Sequence, residues 1–151
     1  MEMLEMSAID SLSHEFVSTI PRELKTGHLY ISLRFNTAIH LCCCGCGMKV
    51  VTPISPTDWS LSYNGESVSL TPSIGNWSFE CKSHYWLRGG KIIWAPQLSD
   101  SEIRRGREAD KAAKRAFFES GHLEKSGRKH KSSKVGGWWS RIASLFGVDV
   151  G

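Results

Sequence analysis

The sequence predicts a mainly β fold: a small antiparallel domain stapled by a metal ion and followed by a C-terminal helical extension, so that the chain is α+β overall. Three observations carry this prediction. All five cysteines lie in two short clusters, Cys42-Cys43-Cys44-Gly45-Cys46 and Cys81-Lys82-Ser83-His84. Between residues 28 and 94, apolar and polar residues alternate in short runs punctuated by Gly, Pro and Asn, the pattern of half-buried strands. After Pro96 the composition switches to Arg, Lys, Glu and Ala, which are helix formers.

Taken in order, residues 1–27 read as an N-terminal lead-in. His28 to Phe35 alternates Leu29, Ile31 and Leu33 on one face with Tyr30, Ser32 and Arg34 on the other, and runs from Ala38 to Cys43 and Lys49 to Ile54 follow as further strands. Trp59 to Tyr63 and Ser67 to Leu70 flank Asn64-Gly65, the strongest short-range hairpin signal. Trp77 to Trp86 and Lys91 to Trp94 flank Arg88-Gly89-Gly90, a second hairpin. The metal-binding β domain is thus expected over 28–97. A basic helix is expected over 98–120, opened by a capping box with Ser99 at the N-cap and Glu102 three residues on. Its apolar members, Ile103, Ala109, Ala113, Ala116 and Phe117, make a narrow stripe. Residues 121–137 lack apolar periodicity and read as a flexible basic linker. Over 138–148, Trp138, Ile142, Leu145 and Phe146 form one amphipathic helical face, made to dock on the body, on a partner groove or on a membrane surface.

Composition narrows the class. Hydrophobic residues make up 40% and charged residues 23% of the 151, which is globular and not disordered. No apolar run reaches the roughly 18 residues of a membrane-spanning helix, and the acidic start Met1-Glu2-Met3-Leu4-Glu5 is unlike a secretion signal. A cytoplasmic protein is expected, and in that reducing compartment clustered thiols read as metal ligands, not disulfides. Charge is uneven: residues 1–100 carry seven Lys or Arg against nine Asp or Glu, whereas 101–151 carry twelve against six. A basic tail of this kind reads first as a solvated helix and linker. Nucleic acid is a weak partner for it, because no base-reading fold accompanies the charge.

Cysteine sulfur is a usual ligand of tetrahedral Zn²⁺. Cys42, Cys44 and Cys46, turned inward with the help of Gly45 and Gly47, and Cys81 from the second hairpin make a four-thiolate set. Such a zinc is structural, because it has no open coordination position. Cys43, on the opposite pleat, is a small buried filler, and His40 is a substitute ligand. Chemistry then falls to a hydroxyl and an imidazole. Ser73, in the Pro72-to-Gly75 segment read as a tight turn, is the better nucleophile candidate, with Ser83 as the alternative; His84 or His40 is the base. Asn76 or amides near Gly75 are candidate oxyanion donors, and Asp58 and Glu80 are nearby carboxylates.

Over roughly residues 14–96 the chain resembles an uncharacterised bacterial domain family marked by a C-x-C-G-C-G stretch, a P-S-I turn and a C-x-S-H-[FY]-W stretch. Here these are Cys42 to Gly47, Pro72-Ser73-Ile74 and Cys81 to Trp86. Cys43 stands where the family usually has Pro or Ala. Members are encoded beside ubiquitin-like proteins and their E1-like and E2-like enzymes, some tied to phage defence. The resemblance implies a serine peptidase that processes or deconjugates a ubiquitin-like protein, with Ser73 and His84 as the catalytic pair and Cys42, Cys44, Cys46 and Cys81 on zinc. Its implied partners are the ubiquitin-like protein, its conjugates and the E1-like and E2-like enzymes. A non-catalytic zinc-binding adaptor of such a system is the competing expectation.

Overall fold

The computed structural model of the chain describes residues 7–127. The expected tail helix, 138–148, and the linker beyond residue 127 lie outside the described residues. Two four-stranded sheets carry the body. In the first, β1 (Ser13–Phe16), β2 (His28–Ser32), β3 (Thr37–Leu41) and β4 (Lys49–Pro53) lie in chain order; in the second, β5 (Ser60–Tyr63), β6 (Val68–Gly75), β7 (His84–Arg88) and β8 (Lys91–Trp94) do the same. All neighbours are antiparallel except β1 and β2, which run parallel. The fold is mainly β with a helical extension, α1 (Asp100–Gly127). Among the described residues no helix is long and apolar enough to cross a membrane.

Both sheets give their inner faces to one cluster. Leu29, Ile31, Ala38 and Val50 come from the first; Val68, Leu70, Ile74, Tyr85, Leu87 and Ile92 come from the second. The alternation in β3, β4 and β7 is that of strands with one buried face. β2 departs from it: Leu29, Tyr30, Ile31 and Ser32 are all buried. The expected strand through Phe35 stops at Ser32, because Asn36, at φ 47°, turns the chain in the left-handed region where Asn is tolerated. Leu33 and Phe35 are consequently exposed.

The segment read as a lead-in is built into the body. Leu12 N–H donates to Gly90 O at 2.8 Å, and Ile92 N–H donates to Asp10 O at 2.7 Å, so residues 10–12 run along β8 before β1 joins β2. The expected strand from Trp77 to Trp86 is a loop as far as Ser83. Phe79 N–H donates to Asn76 O, Lys82 N–H donates to Phe79 O, and Lys82 sits at φ 43°. Those turns consume the backbone groups that a ladder would need.

The Ser99–Glu102 capping box forms as a reciprocal pair. Ser99 N–H donates to Glu102 Oε2 at 2.8 Å and Glu102 N–H to Ser99 Oγ at 3.4 Å, which holds the Glu102 carboxyl below its ordinary range. The helix continues to Gly127, past the expected end at residue 120. Its apolar stripe is buried at its first member only, Ile103 at 8% exposure, whereas Ala109, Ala113, Ala116 and Phe117 are exposed.

Candidate functional site: a thiol cluster and a serine–histidine pair

The sulfur cluster is made by two turns. β3 ends at Leu41, and the chain folds back through 42–48 with Cys42 N–H donating to Met48 O at 2.8 Å and Gly45 N–H to Cys42 O at 3.1 Å. Gly45 and Gly47 sit at φ 91° and 77°, values that glycine adopts without a Cβ penalty. Cys81 arrives from the 76–83 loop, not from a hairpin strand. The sulfurs of Cys42, Cys44, Cys46 and Cys81 all lie within 4.8 Å of one another and form a group that could hold a metal ion.

The donor set fits such an ion. Metal–sulfur bonds of about 2.3 Å in a tetrahedron put the sulfurs about 3.8 Å apart. The separations are 3.9 Å for Cys42–Cys81, 3.8 Å for Cys46–Cys81 and 3.4 Å for Cys42–Cys44. Cys43 is fully buried and outside the group, and burial pushes its thiol up to about 12. Burial also raises Cys42 and Cys44. Cys81 goes the other way: burial opposes its thiolate, but hydrogen bonds from Ser83 and from Cys44 and Cys46 outweigh it and bring the thiol down to about 7.

A polar chain runs beneath the sulfurs. Asn76 Nδ2 donates to Ser83 Oγ at 2.9 Å and points to Cys42 Sγ at 3.7 Å, while Ser83 Oγ lies 3.0 Å from Cys42 Sγ. The Tyr85 hydroxyl meets His40 Nε2 at 2.8 Å. These contacts account for three residues considered from sequence and one that was not. His40 is not among the clustered ligands; it is buried and bonded to Tyr85, and burial lowers its pKa to about 4, so it is neutral. Ser83 is 5% exposed and bonded to the cluster. Asn76 spends its amide here instead of offering it to an oxyanion. Tyr85, which sequence reasoning passed over, is held protonated by burial.

On the opposite side of β7 lies the second constellation. Thr71, Pro72 and Ser73 form a bulge on β6: Leu70 pairs with Leu87 and Ile74 with Tyr85, leaving three residues opposite Trp86 alone. Pro72 lacks the N–H a regular ladder would use, and bulges re-aim side chains. Ser73 is therefore on a strand and not in the tight turn expected. Gly75 pairs with His84, so Ser73, two residues back on the same face, is diagonal to the imidazole. Ser73 Oγ and His84 Nε2 are 2.9 Å apart. His84 Nδ1 lies 2.9 Å from Pro96 O. A carbonyl only accepts, so Nδ1 carries a proton, and in that tautomer Nε2 is the acceptor for the serine hydroxyl.

Trp77 packs edge-on against His84 at a centroid distance of 4.9 Å. Gly75 is required for that packing. A Cβ there would lie 2.4 Å from the indole, so the reason for glycine is close approach and not unusual dihedrals. Asp58 is committed to Lys114 at 2.7 Å and Ser55 at 2.6 Å. The group that orients His84 is thus a backbone carbonyl, which leaves no residue-type signature for sequence reasoning to find. A cleft of about 310 Å³ opens beside Ser73 between β6 and the first turns of α1.

No curated protein and no solved structure matches the chain. Residues 16–95 do match a protein family, and that stretch holds β2 to β8, the four clustered cysteines, Ser73 and His84. The chain belongs to the family of bacterial ubiquitination-like system serine proteases (BubE).

Proposed function

We propose that this protein is a cytoplasmic serine peptidase that processes or deconjugates a ubiquitin-like protein, with Ser73 as nucleophile, His84 as general base and a structural zinc on Cys42, Cys44, Cys46 and Cys81. The observation that carries it is the 2.9 Å approach of Ser73 Oγ to an imidazole whose other nitrogen is fixed by Pro96 O. That is the nucleophile–base–orienter arrangement of acyl transfer. The family supplies the substrate class: a ubiquitination-like system offers the modifier, its conjugates and its E1-like and E2-like enzymes as partners.

In this reading Ser73 Oγ attacks the carbonyl carbon at the modifier's C-terminus while His84 Nε2 takes the hydroxyl proton. The imidazolium then returns that proton to the leaving amine as the C–N bond breaks. Water, deprotonated by the same nitrogen, hydrolyses the acyl-serine ester and frees Ser73. Pro96 O holds the ring in the tautomer that accepts, and Trp77 limits its rotation. A zinc with four thiolates supplies a cross-link between 42–46 and 81 and no Lewis acidity.

The test is cleavage of a modifier fusion by the purified protein. Ser73→Ala lowers turnover by about 10⁴-fold or more and leaves metal content unchanged. Turnover by Ser73→Ala at the wild-type rate would refute the nucleophile. Binding of the fusion without turnover by the unaltered protein favours the adaptor reading instead.

A further inference from the structure

α1 presents Ile103, Gly106, Arg107, Asp110 and Lys114 to the cleft at Ser73. Their spacings of three, one, three and four place them on one helical face. Gly106 stands out. It occupies a helix interior, where glycine is the poorest residue short of proline. A Cβ added there would meet nothing within 4 Å, and its φ is not in the left-handed range. Neither backbone geometry nor packing therefore requires glycine at 106. What its missing side chain leaves open is the cleft, which Ser73 lines on the opposite wall.

The cleft is small. At about 310 Å³ it stands at the bottom of the roughly 300–1,000 Å³ range of ligand pockets, room for a stretch of chain and not for a folded domain. Its cations are unequally committed. Lys114 bonds Asp58 and Asp110. Arg107 makes no ion pair among the described residues, and its one side-chain hydrogen bond among them is to Ser78 Oγ, at 3.4 Å. A guanidinium with this freedom at the edge of a cleft is suited to a carboxylate.

We propose that the first turns of α1 are the specificity wall of the Ser73 site. The cleft holds an extended segment of the substrate polypeptide next to the bond cut; Gly106 sets the clearance for that segment, and Arg107 pairs with an acidic group on it. This rests on the peptidase reading for the identity of the segment, but its geometry does not depend on turnover. It also lies outside the family match, which ends at residue 95.

The experiment measures fluorescence anisotropy of a labelled peptide, the C-terminal ten residues of the modifier fused to a short leaving segment, with full-length protein carrying Ser73→Ala. Adding Gly106→Leu weakens binding by about tenfold or more, Gly106→Ala weakens it less, and both leave the melting temperature equal to or above that of the parent. Arg107→Glu weakens binding and removes most of its salt dependence, whereas Arg107→Lys restores part of it. Equal affinity with and without Gly106→Leu, or no binding of this peptide by the parent, would overturn the proposal. Cleavage of the same peptide by the Ser73→Ala protein would instead refute the peptidase assignment, with the binding comparison still deciding the cleft.

Discussion

Two adjacent thiols with the same composition signal have different jobs. Cys42 Sγ lies among three other sulfurs and a serine hydroxyl, whereas Cys43 is packed in the core with its thiol pushed up by burial. Cys43→Ala should keep the full metal content by elemental analysis and cost about 1 kcal/mol of stability, the scale of one small group deleted from a core. Cys42→Ser should lose the metal. Equal metal loss in both variants would remove the distinction between ligand and filler. At this scale the sequence is most explicit where chemistry depends on residue type: four cysteines with glycines between them identify a thiol site without any knowledge of the fold. It is silent where chemistry depends on the backbone. Nothing at Pro96 marks it as the acceptor for His84, and Asp58, a carboxylate that sequence noted nearby, bonds Lys114 and Ser55 instead.

At the scale of elements, the part of α1 up to Lys114 is tied to the strands through the pair Lys114–Asp58, at 2.7 Å. Lys114 and Ser55 hold the Asp58 carboxyl below the ordinary carboxylate range. A carboxyl depressed in the folded state contributes stability that is present above the unfolded value of about 3.9 and is lost as pH falls through the lower, folded value. Acid titration of the wild type against Asp58→Asn should therefore show the two melting temperatures converging only below about pH 4. Above that, the double-mutant cycle with Lys114→Gln should give a coupling of about 0.2–1 kcal/mol, reduced by salt, because both groups are partly exposed. A coupling of zero at low salt would show that the pair does not fasten α1. Hairpins were legible here because Gly65 and the pair Gly89-Gly90 sit at φ values that few residues other than glycine adopt. β1 was not, since its four residues are mostly exposed and its place is set by hydrogen bonds to β2 that carry no side-chain pattern. The helical stripe said little about packing for a related reason: alanines at helical spacing report helix propensity as readily as burial.

Across the whole molecule, the thiol cluster and the Ser73–His84 pair sit on opposite faces of one strand start. Ser83 Oγ is 3.0 Å from Cys42 Sγ and 3.5 Å from Cys81 Sγ, and the next residue is His84. Ser83 O also accepts from Asn76 N–H at 2.9 Å, closing the loop that begins just after Gly75. Whatever fixes the four sulfurs therefore fixes the point at which β7 begins, and with it the diagonal offset that brings the imidazole to the serine. No sequence period encodes that coupling, because it joins residues 42–46 to 81–84 through space; the two motifs are visible separately and their mechanical link is not. A metal that binds only the folded arrangement adds its binding free energy to folding. Stripping the protein with a chelator should lower its melting temperature, raise hydrogen exchange at the amides of 76–84 ahead of the β2 and β3 amides, and suppress cleavage. Added Zn²⁺ should reverse all three. Ser73→Ala should show the same chelator-dependent exchange, since it alters the chemistry and not the clamp. If stripped protein instead keeps its protection at 76–84 and loses only thermal stability, the sulfurs hold the fold as a whole without setting the register of His84.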